Sequence, residues 1–230
     1  IEAWPQLQSI DAARLAGRDR SDFETIAWVA AISREIASHP FGGIDSYAYP
    51  VPYVVSQLTG AYQSTPDFLA TKHPLESSAD AEAFLVRLEA FARALNYDTA
   101  RMRDDLRRGI VPPDFVVDKT LVQLKLLRAQ PGAQSVMTRA LVQRTAAKGI
   151  AGDWGGRAAR LVDGPLAKSL DAQIAAATEQ RARATHDAGI RGRPGGEVYY
   201  PLCLRYQTST RLTPDEAHEL GLAQVAAITA

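Results

Sequence analysis

Cysteine is almost missing from this chain, with Cys203 the only one in 230 residues. No intrachain disulfide can form, and no thiolate cluster can hold a structural zinc. A single thiol suits the cytoplasm, and suits equally a periplasmic protein that needs no crosslinks. Net charge is missing too. Lys+Arg and Asp+Glu both total 26, which removes the strongly basic footprint of a nucleic-acid binder. No apolar run approaches the roughly 20 residues of a membrane-spanning helix. There is no signal-peptide pattern and the chain opens on Ile1 rather than Met, so its true beginning is expected upstream. GxSxG elbows, fixed-period repeats and low-complexity tracts are also lacking.

What is present is an ordinary globular composition, 46% hydrophobic and 23% charged. That is enough for a substantial core, in one large domain or two small ones. Apolar residues recur at helical spacing, and β-type alternation is scarce. Ser21 and Glu24 read as a capping box opening a helix that runs to Ser38, where His39-Pro40 breaks it. Residues 44–53 are aromatic and Pro-punctuated, which reads as irregular extended backbone. Ser64-Thr65-Pro66-Asp67 starts a short helix ending near His73-Pro74, and Ser77 or Ser78 caps the next. In that helix Phe84, Leu88, Phe91 and Leu95 form one buried face. A separate charged helix is expected over residues 97–108. Pro112-Pro113 opens another helix, one is expected over residues 135–148, and Gly164-Pro165 starts a long one. Thr213 and Glu216 form a capping box before Leu220, Leu222, Val225 and Ile228. The expected fold is all-α, an antiparallel helical bundle with one irregular Pro/aromatic excursion around residues 40–63.

Several motifs invite chemistry and yield to plainer readings. His218-Glu219 suggests the HExxH of zinc peptidases, but Leu222 stands where the second His is needed. His39 and His73 each precede a Pro at a helix end, where turn bonding is the plain reading. His186-Asp187 reads as capping, since adjacent helical residues do not face each other. Gly149, Gly152, Gly155 and Gly156 lack the preceding strand and the Lys or Ser/Thr offsets of a phosphate loop, and read as a helix–helix connection. Arg101 to Arg108, interleaved with Asp104 and Asp105, reads as a solvated face. Cys203 has no His partner nearby in sequence. The polar-aromatic set Tyr199, Tyr200, Arg205 and Tyr206 holds more promise, since Tyr199 and Tyr206 lie seven apart and share a helix face. Such tyrosines suit a core or interface first and a substrate oxygen second.

The segments THDAG, GGEVYYPLCLRYQTST and LTPDEAHELGL, all within residues 185–222, closely resemble the bacterial family called domain of unknown function 885. PYVVSQLTGAYQSTPDFLATKHPLESSADAEAFLVRLEAF and RGIVPPDFVVDKTLVQL extend the likeness over most of the chain. It departs at Arg191-Gly192, where the family carries an aromatic-basic pair, and at Pro201, where Ala is usual. Pro201 is tolerable only if its helix begins close to Glu197. The resemblance implies a mostly helical, metallopeptidase-like protein, often exported as a Tat substrate or lipoprotein. It implies zinc-activated water attacking a peptide carbonyl, with a Glu as general base. Those ligands would lie on a helix beyond Ala230, so no metal ligand or catalytic residue carries over onto this chain.

The expectation is therefore the N-terminal helical region, residues 1–230, of a zinc-dependent peptidase-like hydrolase. Its catalytic half lies beyond residue 230, and the remaining C-terminal part of the same polypeptide is its partner. Gln57, Tyr199 and Tyr200 are expected to line one wall of a peptide cleft. The 230 residues alone are expected to hold no cofactor and to show no peptidase activity, with zinc reserved for the full-length protein. The rival reading is a noncatalytic helical module that docks a protein or peptide through residues 46–53.

Overall fold

The computed structural model describes residues 4–44 and 49–229. In chain order the elements are α1 (Trp4–Gln8), α2 (Gly17–Ser38), β1 (Gly43–Ile44), β2 (Pro50–Val51), α3 (Ala61–Asp67) and α4 (Ser78–Arg107). They continue with α5 (Asp114–Arg128), α6 (Val136–Ala147), α7 (Trp154–Leu161), α8 (Ala167–Arg181), α9 (Gly196–Thr208) and α10 (Pro214–Thr229). Among the described residues the fold is all-α apart from the β1–β2 pair. No helix among the described residues is long and apolar enough to cross a membrane.

The chain divides into two units, residues 1–52 with 189–230, and residues 53–188. In the first, Ile32 and Ile36 of α2 pack with Leu202 of α9, flanked by Trp28, Ile44 and Tyr206. Helix α2 begins a turn earlier than the capping-box reading placed it, at Gly17. Ser21 therefore lies inside the helix, where its carbonyl accepts from the Thr25 hydroxyl. The irregular excursion narrows to a short antiparallel ladder, Gly43 facing Val51 and Ile44 facing Pro50. Within the segment proposed for docking, residues 46–48 lie outside the described residues.

The second unit holds the larger core, built on Phe84, Leu88, Phe91 and Leu95 of α4 with Leu121, Leu124, Leu141 and Leu170. Ser77 caps α4 in a reciprocal box with Asp80. The helix then continues without a break to Arg107, absorbing the separate charged helix expected from residue 97. Nothing between Leu95 and Tyr97 interrupts it, because Asn96 alone is a weak helix breaker. Helices α5 and α8 run antiparallel, as the ion pairs Arg128–Asp171 and Arg181–Asp118 require. Helices α4 and α8 run in the same direction, since Gln173 reaches the Leu95 carbonyl and Gln180 the Met102 carbonyl.

Two prolines read as helix starts sit within helical runs instead. Pro66 lies inside α3, which passes into a π-helical turn over Phe68–Lys72. Pro165 lies in a second π turn, Val162–Leu166, joining α7 to α8. Proline donates no N–H in either place, yet both helical runs continue past it, with a π turn following Pro66 and another containing Pro165.

Candidate functional site

The first unit carries an open groove of about 670 Å³. Its walls are the end of α2 (Glu35, Ser38), the His39-Pro40 turn, one stripe of α9 (Val198, Pro201, Leu202, Arg205) and residues 211–214. Each wall has a local cause. His39 ends α2, its N–H bonding the Ile36 carbonyl, because the following proline disfavours helix. Ser209 ends α9 in the left-handed region at φ 56 and turns the chain back. Thr213 then starts α10 through reciprocal bonds with Glu216, as the sequence pattern predicts. Arg205 and Glu35 form an ion pair across the floor, so two of the groove's charges neutralise each other.

Behind the groove lies an aromatic cluster. His39 meets Phe41 edge-on at 4.4 Å and Tyr199 at 5.0 Å, while Phe41 and Tyr199 are 4.9 Å apart. Tyr199 is only 2% exposed. Neither its hydroxyl nor His39 Nδ1 has a hydrogen-bond partner among the described residues. Burial, reinforced by the neighbouring Cys203, pushes the Tyr199 phenol well above its ordinary range, so it stays protonated as a donor. Burial likewise raises the Cys203 thiol, which disfavours a reactive thiolate. Gly42 makes the close approach possible. It sits at φ 73, and a Cβ there would fall 2.6 Å from the Val51 oxygen and 2.8 Å from the Tyr199 hydroxyl.

The residues expected to line a cleft separate into different settings. Tyr199 is buried behind the groove, whereas Tyr200, its neighbour on α9, is 49% exposed. Gln57 belongs to the second unit, where its backbone carbonyl accepts from Gln63 and its side-chain oxygen is buried without a partner among the described residues. Glu35, His39 and Arg211 were not foreseen as groove residues. Glu35 and Arg205 stand far apart in sequence, and no local pattern joins them.

His73 and His186 tie neighbouring elements together. His73 is buried, with Nε2 2.9 Å from the Asp80 carbonyl, so Nε2 carries the proton. Arg87 donates to its Nδ1, and Arg144 donates to its carbonyl at 2.6 Å. His186 Nδ1 pairs with the Asp114 carboxylate at 2.9 Å. Burial works against ionised Asp114, but the bonds from His186 and the Phe115 N–H hold its carboxyl below the usual range. His218 is exposed. Among the described residues there is no group of three or more His, Cys, Asp or Glu that could hold a metal ion.

The family described as "bacterial protein of unknown function (DUF885)" matches residues 2–230. Among curated proteins no match is found. A crystal structure described as that of "the putative lipoprotein from Colwellia psychrerythraea" superposes with a TM-score of 0.85 at 17% identity. The likeness covers 97% of this chain and 39% of that one, so the chain spans well under half of the length of that structure.

Proposed function

The chain belongs to the DUF885 family, and on that footing we propose that it is the N-terminal helical portion of an exported peptidase-like hydrolase. The groove of the first unit contributes one wall of the substrate cleft. The metal ligands come from the remaining polypeptide of the whole protein, with zinc as the expected ion. The supporting observation is the groove itself. It sets apolar side chains (Val198, Leu202, Leu212) beside polar ones (His39, Thr213) and a balanced Glu35–Arg205 pair. Such a mixture suits an extended peptide, whose side chains alternate with backbone donors and acceptors. Tyr200 is the exposed member of the expected wall, and Tyr199 fixes the groove's back through its packing on His39. The same groove would equally serve a noncatalytic peptide-binding module. Hydrolysis of peptides by the whole protein separates the two readings.

The binding part is tested on the 230-residue chain with a fluorescein-labelled alanine–leucine pentapeptide. Saturable anisotropy is expected, weakened about tenfold by Val198→Asp, which places a charge on the apolar wall. Circular dichroism melting should be unchanged, because Val198 is 61% exposed. Absence of saturable binding at millimolar protein would overturn the reading.

A further inference from the structure

Resting on the groove as a peptide site, we propose that Arg211 receives the carboxylate at the C-terminal end of the bound peptide. The charged residues lining the groove are Glu35, Arg205 and Arg211. Glu35 and Arg205 are joined in an ion pair and cancel. Arg211 is exposed and has no ion pair or hydrogen bond among the described residues. One arginine of the groove is thus satisfied from within the chain and the other is not. Asp215 and Glu216 follow on α10 but do not line the groove. Glu216 instead bonds back to the Thr213 N–H and hydroxyl. The groove walls are left with one positive charge in excess, which favours an anionic ligand group.

The backbone on either side of Arg211 is held. Ser209 turns the chain at φ 56. The Thr210 and Leu212 N–H groups bond the hydroxyls of Thr208 and Thr210, and the Thr213 N–H bonds Glu216 at 2.8 Å. Residue 211 is therefore anchored on both sides, which lowers the cost of ordering its side chain on a ligand. A guanidinium can grip a carboxylate through two parallel N–H bonds. Leu212 adjoins it in sequence, and Val198 and Leu202 supply further apolar lining. A carboxylate attached to an apolar body is what a peptide ending in an aliphatic residue presents. A mid-chain peptide bond carries no charge for Arg211 to meet, and a free amino end would meet a like charge. The cleft then takes the end of a polypeptide rather than its middle.

Two alanine–leucine pentapeptides, both labelled with fluorescein at the N-terminus, test this on the 230-residue chain. One keeps its C-terminal carboxylate and the other is amidated there. By anisotropy the carboxylate form should bind about three- to tenfold more tightly, the range for a charge-assisted pair at an exposed side chain. Arg211→Gln should abolish that preference and leave the affinity for the amidated peptide unchanged, with the same melting temperature as the unmodified protein. Arg211→Lys keeps the charge without the planar fork and should retain only part of the preference. Equal binding of the two peptides by the unmodified protein, or a preference that survives in Arg211→Gln, would overturn the inference while leaving the groove a peptide site. No saturable binding of either peptide would overturn both.

Discussion

Asp105 shows how one side chain sets a pH dependence. It is 4% exposed near the end of α4, and its Oδ1 has no hydrogen-bond partner among the described residues. Burial raises its carboxyl from 3.8 to about 6, with Arg101 and Arg108 pulling the other way. The folded state therefore holds a proton that the unfolded chain releases near pH 4. The Asp105 contribution to stability is therefore greatest below that pH, falls as pH rises towards 6, and is level above it. Asp105→Asn should flatten this profile and stabilise the protein at pH 7 by on the order of 2 kcal/mol. Urea midpoints between pH 4 and pH 8 test this, and an unchanged slope would refute it. Tyr62 is the companion case, its phenol pushed up to about 12 by burial while it bonds the Ser56 carbonyl and the Gln123 side chain.

At the scale of elements, the helix starts carry measurable stability. Ser77 and Asp80 satisfy each other's free backbone donors at the head of α4, the longest helix. Ser77→Ala should cost about 1 kcal/mol, seen as a lower melting midpoint at constant cooperativity. This cap was legible in the sequence, as were the break at His39-Pro40, the Pro112-Pro113 start of α5 and the Thr213–Glu216 box. Each is a local chemical fact written within four residues. The unbroken α4 was not legible, because helix continuity past Leu95 depends on packing along its whole length rather than on any one residue. Pro66 and Pro165 misled for the opposite reason: a strong local signal is overridden by helical runs that continue through it. The site shows the same division. The Tyr199–Tyr206 stripe was readable from its spacing, and Pro201 stood out. Glu35 meets Arg205 only after α2 and α9 have packed together.

For the whole molecule, the larger core lies entirely between Val54 and Ala184, within the unit formed by residues 53–188. A fragment of those residues should fold by itself, with a cooperative thermal transition and dispersed amide resonances. A gradual, non-cooperative melt would show that its core needs the remaining residues. Helix α10 has the opposite character. None of its residues is buried, and Leu220, Leu222, Val225 and Ile228 are between 52% and 82% exposed. The chain's formal charge at pH 7 is zero. Little net charge then keeps copies of the 230-residue chain apart, and this bare stripe is one surface through which they can meet. At neutral pH Val225→Glu should therefore raise the concentration at which the 230-residue chain begins to scatter light, by setting a charge within an apolar surface.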